Sequence, residues 1–215
     1  MTTPSRWSVL AVMVVAGGLA GCGGGAAVPS PGPPSATTAT SAGSVEPSAS
    51  AVPTSASTES NPPGDIPDNQ AYVAFAPPGA GVSVRVPEGW ARAATGGVTV
   101  FTDKLNRIEI APGQASAAPT VASVAAADVT KLRATVSKFT PGKVTADRRA
   151  GGPVVVVTYQ GDSAPDPVTG KVVRDAFERY VYFRNGRRLD LTLSGPVNAD
   201  NVDPWKIVSD SVRWQ

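Results

Sequence analysis

The chain has 215 residues, of which 41% are hydrophobic and 17% charged, with a formal net charge of +2. Its 22 glycines and 21 prolines exceed what one packed domain ordinarily carries, so part of the chain is expected to lie outside any core. It has no histidine and one cysteine. That excludes Ser-His-Asp and Cys-His catalysis, histidine-ligated zinc or haem, an intrachain disulfide and a cysteine metal cage.

Residues 1–21 read as a secretory signal. Arg6 is the only charge before Glu46 and supplies a positive n-region. Trp7 to Ala20 is an apolar run of fourteen residues. As a helix it would rise about 21 Å, short of the ~30 Å hydrocarbon core, so it reads as a signal core rather than a permanent span. Leu19-Ala20-Gly21-Cys22 follows: a leucine, two small residues and the chain's single cysteine. This quartet resembles the lipobox of bacterial lipoproteins. The resemblance implies cleavage before Cys22 and a diacylglyceryl thioether on its sulfur, commonly with a third acyl chain on the new N-terminus. Two or more chains anchor stably where one binds only marginally. The expected location is the extracytoplasmic face of the cell membrane, with the membrane itself as partner through acylated Cys22.

Cys22 and the segment up to residue 70 form the expected tether. Residues 23–70 hold nine prolines and fourteen serines and threonines, with no aromatic residue, lysine or arginine. Val28, Val45, Val52 and Ile66 are the only bulky aliphatics. Such a segment buries too little apolar surface to offset its conformational entropy, and reads as a disordered stalk. As a flexible coil it would span about 40 Å, and fully extended about 150 Å. Its Ser/Thr/Pro mixture also suits O-glycosylation.

Residues 71–215 read as one globular domain with 18 basic and 13 acidic residues. Its first strand signal is Gly81 to Val86, with Val82, Val84 and Val86 on one face. Pro87-Glu88-Gly89-Trp90 turns the chain. Ala91 to Ala94 is a weaker strand, Gly96-Gly97 a tight reversal, and Val98–Thr102 and Arg107–Ala111 are further strands. From Thr120 to Ser137 the period changes: Val121, Val124, Ala125, Val129, Leu132 and Val136 trace one helical face. Thr120 reads as its N-cap, and Phe139 with Pro141-Gly142 as its end.

Lys143 to Ala150 reads as a strand. Gly151-Gly152 then turns into Pro153–Tyr159, whose four consecutive valines suit a strand buried on both faces and placed centrally in a sheet. A loop rich in Pro, Asp and Gly spans Asp162 to Lys171. Next comes the hairpin Val172–Arg184 and Arg187–Ser194, joined by Asn185-Gly186, the preferred type I′ pair. That turn pairs Tyr182 with Leu189 and Tyr180 with Leu191, and sets Arg179 diagonally from Asp190. Asp203 and Pro204 read as the start of a last helix carrying Trp205, Val208 and Val212. The fold class is therefore α+β: a mainly antiparallel sheet, apolar on both faces, covered by two or more helices.

The Val86-Pro87-Glu88-Gly89-Trp90 strand end, the long helix, the long hairpin and the closing Trp205…Val208…Ser211 helix resemble the PsbP-like α/β/α sandwich. Within that group the chain is most similar to the envelope lipoproteins of the LpqN type. The resemblance implies a non-catalytic adaptor or binding domain. It carries no ligand-binding residue to a position of this chain.

The residues themselves support no enzyme motif. Gly-x-Ser-x-Gly, Ser-x-x-Lys and a phosphate-binding glycine loop are absent, and no catalytic residue, cofactor or metal site is expected. Asp162 and Asp166 offer a carboxylate pair, but their polar loop reads as solvated charge, and the calcium-loop spacing is missing. Trp90 and Trp205 read as core. The export signal and interspersed carboxylates argue against nucleic acid as a partner. Arg184, Arg187 and Arg188 crowd the hairpin tip with no carboxylate in register, so the tip is a candidate anion site. Two functions remain. The preferred one is an envelope module that binds or docks a lipid, a glycolipid or a protein. The alternative is a carboxylate-based envelope hydrolase of unrecognised type, marked by a buried, paired carboxylate in a cleft.

Overall fold

The computed structural model describes residues 63–166 and 168–215, all within Ser55–Gln215, the second of two units into which the chain divides. The signal segment, the Leu19–Cys22 quartet and the tether up to residue 62 lie outside the described residues.

Twelve elements follow in order. They are β1 (Tyr72–Phe75), β2 (Val82–Pro87), β3 (Ala91–Thr95), β4 (Val98–Asp103), β5 (Asn106–Gln114), α1 (Val121–Thr135), β6 (Thr140–Arg149), β7 (Gly152–Asp162), β8 (Arg174–Arg184), β9 (Arg187–Pro196), α2 (Val202–Asp210) and β10 (Arg213–Trp214). Seven strands form one antiparallel sheet in the order β3-β4-β5-β9-β8-β7-β6, and β1-β2-β10 form a second, smaller sheet. The α+β expectation, antiparallel strands with two covering helices, is met.

Alternation along the hairpin decides what each face buries. Tyr180, Tyr182, Leu189, Leu191 and Leu193 point one way and are sealed by Val82, Val84 and Val86 of β2, Val208 of α2 and Val212. Val155, Val157, Tyr159 and Val181 point the other way and meet Val124 of α1, with Val129, Leu132 and Val136 beside it. Each such valine or leucine stabilises the fold by about 1.5–3 kcal/mol relative to exposure. The two aromatic hydroxyls of the first face are accommodated individually: Tyr182 donates 2.7 Å to the Ser209 carbonyl, and Tyr180 donates to Glu178.

Thr120 caps α1 through a reciprocal box, its Oγ1 accepting from Ser123 N–H at 3.1 Å while Ser123 Oγ accepts from Thr120 N–H at 2.9 Å. One polar residue lies on the buried stripe. Asp128 is 8% exposed and pairs with Arg188 of β9, while Arg188 Nε and Arg179 of β8 bind Asp190 at 2.8 and 2.7 Å. Burial alone would lower the Arg188 guanidinium, but the bonds and charges of Asp190 and Asp128 outweigh it and hold it above its ordinary value. The anticipated Arg179–Asp190 pair is therefore part of a four-membered network that ties α1 to the sheet.

Several expectations are corrected. The four-valine strand is β7, which lies second from the sheet edge; β9 holds the centre. Cover on both faces, rather than a central place, explains its continuous apolar run. Pro141-Gly142 does not end the helix, whose cap is Val136; it sits in edge strand β6 at an irregularity between Pro141 and Val144. Pro is tolerated there because an edge strand has one unpaired side. The last helix begins one residue after Asn201, so Asp203 lies in its first turn instead of capping it. Val212, read as part of that helix, lies beyond its end at Asp210, and Trp214 follows in β10, paired with Val82.

The domain also begins before residue 71. Gly64 and Ile66, assigned to the tether, are buried. Ile66 N–H donates to Asn201 Oδ1 at 2.8 Å, and the Gly64 carbonyl accepts from Asn106 Nδ2 at 2.8 Å and Asn201 Nδ2 at 3.0 Å. The asparagines also bond each other at 3.0 Å. A Cβ on Gly195 would overlap Asn106 Oδ1, so only glycine leaves room for this pair. The short segment is held by partners far along the chain, which its own composition cannot reveal.

Candidate functional site

Two loops meet at one end of the seven-stranded sheet. The first joins β4 to β5 and carries Lys104, at φ 50°, and Leu105. The second joins β7 to β8 and folds on itself: Ser163 N–H donates to the Val173 carbonyl at 2.8 Å, and Val173 N–H returns to Ser163 Oγ at 3.0 Å. Asp166 Oδ1 accepts from the N–H groups of Val168 and Thr169 and from Thr169 Oγ1, at 3.1, 2.7 and 2.8 Å. The Thr169 backbone bond, then its hydroxyl, holds the Asp166 carboxyl below its usual range.

Between the loops lies a pocket of about 500 Å³, with Asp175 among its lining residues. Asp175 stands one residue inside β8, opposite Pro196, on the face that carries Phe177 and Arg179. It is 5% exposed, and its Oδ1 has no hydrogen-bond partner among the described residues. Its neighbour Arg174 is spent elsewhere, donating 2.7 Å to the Lys138 carbonyl and 2.6 Å to Thr140 Oγ1 and approaching Asp162 at 3.5 Å. Burial, reinforced by the Asp162 charge, therefore pushes the Asp175 carboxyl up to about 6. Asp162 moves the opposite way: a bond from Lys138, at 2.8 Å, leads the causes that lower it.

The pocket lining thus combines a buried carboxylate with exposed cations. Arg107 is committed to Glu109 at 2.9 Å. Lys104 and Lys171 have no ion-pair partner among the described residues. A larger hollow of about 790 Å³ beside α2 is lined by surface charges such as Arg85, Asp203 and Lys206. Its half-buried hydroxyl, Ser211 Oγ, is satisfied by the Arg85 N–H and the Val208 carbonyl.

The structure does not bring the three tip arginines together. Arg187 turns to the small sheet, donating to the carbonyls of Gly81 (3.2 Å) and Gln215 (3.0 Å), with its guanidinium 5.8 Å from the Trp214 ring. Arg188 turns to the opposite face, into the Asp128–Asp190 network. Arg184 alone is left at the surface. Strand alternation separates the first two, and each finds partners from distant segments. Of the loop carboxylates, Asp166 is exposed as expected, but Asp162 is mostly buried and ion-paired. Trp90 and Trp205 are half-buried against the main core. Cys22, with Leu19, Ala20 and Gly21, lies outside the described residues. Asp175 was missed. Its signal was a carboxylate in register with Phe177 and Val181, on a strand face that needed cover.

No family model matches the chain, and no curated protein matches it. Among solved structures, it is similar to a Bacteroides thetaiotaomicron protein at 12% identity and TM-score 0.44, over 66% of this chain and 48% of that one. The chain therefore spans about half the length of that protein. It is also similar to cyanobacterial PsbP from Synechocystis sp. PCC 6803 at 15% identity and TM-score 0.47, over 68% of this chain and 94% of that one. A third similarity is to PA94 of Pseudomonas aeruginosa, a protein of unknown function described as a putative regulator. There the identity is 14% and the TM-score 0.36, over 59% of this chain and 83% of that one.

Proposed function

We propose that the chain is a lipid-anchored cell-envelope protein of the LpqN type, with a PsbP-like domain that acts as a non-catalytic binding module. Leu19-Ala20-Gly21-Cys22 after a fourteen-residue apolar run supports the anchor, and the Pro/Ser/Thr segment supports a tether. The observation that carries the binding role is Asp175: a carboxylate 5% exposed, lining an open pocket, with Oδ1 unpartnered among the described residues. An unpaired buried acceptor costs about 1–3 kcal/mol, and a ligand that donates to it recovers that cost. The pocket is the binding site, and the acylated Cys22 holds it near the membrane.

Two experiments test this reading. Fatty-acid labelling of cells should mark the wild type and lose the label in Cys22→Ala; equal labelling removes the anchor. A photo-crosslinking residue at position 164, in the pocket lining, should capture a cellular compound that the same residue at position 143, in β6, does not. Equal capture removes the pocket as the binding site.

A carboxylate-based envelope hydrolase is the second reading, favoured by the raised Asp175 carboxyl. It needs a second carboxylate in the pocket, and Asp166, which lines it, already has Oδ1 committed to Val168 and Thr169. A captured compound recovered cleaved from the wild type and intact from Asp175→Asn would favour the hydrolase.

A further inference from the structure

The pocket has a polarity that narrows its occupant. One lining residue is the Asp175 carboxylate, nearly sealed from water, with an oxygen that lacks a donor among the described residues. The exposed cations beside it, Lys104 and Lys171, are without ion-pair partners among the described residues. A simple anion would suit the lysines but would face Asp175. A simple cation would suit Asp175 but would pass the lysines. A metal ion fits poorly, since among the described residues no three ligating side chains converge.

A molecule carrying both signs satisfies both ends. The buried end must donate hydrogen bonds as well as carry charge, because Oδ1 lacks a donor among the described residues and not only a counter-ion. A primary ammonium does both. A quaternary ammonium has no N–H, and its usual seat is a cage of aromatic rings. Among the described residues no aromatic side chain lines this pocket.

We infer that the Asp175 pocket binds a small zwitterion, with a primary ammonium held inward by Asp175 and an anionic group held outward by Lys104 and Lys171, and that it rejects the quaternary-ammonium analogue. The inference rests on the pocket being the binding site. A volume of about 500 Å³ admits a molecule of headgroup size. The same chemistry is offered by a free aminoalkyl phosphate and by an aminophospholipid headgroup.

The test uses the full chain in a non-ionic detergent at pH 7.5 and low salt, titrated with phosphoethanolamine, phosphocholine and inorganic phosphate. Phosphoethanolamine should bind at least ten-fold more tightly than either of the others. Asp175→Asn should abolish that preference, and Lys104→Ala/Lys171→Ala should weaken phosphoethanolamine at least five-fold. Folding of each variant is checked by circular dichroism and thermal melting. Vesicles then identify the source. Retention on phosphatidylethanolamine over phosphatidylcholine, lost in Asp175→Asn, assigns a lipid headgroup. Equal retention with a preserved preference in free solution assigns a soluble zwitterion. Binding of phosphocholine as tight as phosphoethanolamine, or a preference that survives Asp175→Asn, overturns the inference. So does the absence of phosphoethanolamine binding to the wild type. Position-164 capture in cells alongside any of these failures would leave the binding module standing and the zwitterion wrong.

Discussion

Asp128 of α1 and Arg188 of β9, 60 residues apart in sequence, form an ion pair between helix and sheet. Asp128 also lies 4.0 Å from Arg179, so one carboxylate faces two guanidiniums that share Asp190. Removing one member of a buried charged set leaves the others uncompensated. Asp128→Ala should therefore destabilise the fold by about 2–4 kcal/mol, read from the denaturant midpoint. The loss should persist at high salt, since screening reaches buried pairs weakly. An unchanged midpoint would mean that Val124 and its apolar neighbours alone hold the helix.

The Gly64–Ile66 segment supplies a second test. Burying Ile66 contributes about 1.5–3 kcal/mol, and the bonds of Ile66 N–H to Asn201 and of the Gly64 carbonyl to Asn106 and Asn201 add roughly 1 kcal/mol each. A chain beginning at residue 71 should be about 4–6 kcal/mol less stable than one beginning at residue 60. Asn201→Ala in the longer chain should reproduce part of the loss. Coincident melting curves for the two chains would show that the segment adds nothing.

The legible parts of this fold are local. Asn185-Gly186 fixes the register of β8 on β9 within four residues, and Val82, Val84 and Val86 announce their face by alternation. The illegible parts depend on partners far away. Nothing near Arg187 or Arg188 in sequence indicates Gly81, Gln215 or Asp128. Tyr72–Phe75 is four residues long and becomes a strand by pairing with β2. Asn201 precedes the first residue of α2, yet makes no side-chain cap bond and uses both ends of its amide across the domain. The candidate site follows the same rule. Asp175 could be placed on a face from its register, but its isolation depends on Arg174 being drawn to Lys138, Thr140 and Asp162.

The hairpin turn has Asn185 at φ 50° and Gly186 at φ 78°, the pair of positive angles that a type I′ turn requires. A Cβ on Gly186 would meet nothing within 4 Å, so any cost of substitution is conformational rather than steric crowding by the fold. Gly186→Val should destabilise by about 1–3 kcal/mol, because a β-branched residue resists positive φ. Gly186→Ala should cost less, and neither variant should alter the pocket at the opposite end of β8. Equal stability of wild type and Gly186→Val would mean that the turn relaxes to another type at no cost.

The Asp175 carboxyl gives the domain an unusual pH dependence. Its ordinary value is 3.8 and the folded value about 6. Below pH 3.8 it is protonated folded and unfolded, and its burial carries no charge penalty. As pH rises past that value the unfolded chain releases the proton first, so folding loses stability until the folded group has titrated too, above about pH 6. A shift of this size amounts to about 3 kcal/mol at most. Asp162 and Asp166 act in the other direction, since both are held low and gain stability as pH rises through the acid range. The difference between wild type and Asp175→Asn separates the two. At pH 7.5 the variant should be the more stable by up to about 3 kcal/mol, and the gap should narrow toward pH 4. A gap that stays the same at pH 4 and pH 7.5 would show that Asp175 titrates alike in both states. A zwitterion seated on the ionised carboxylate should close the gap from the other side, raising the wild-type midpoint at pH 7.5 while leaving Asp175→Asn where it was.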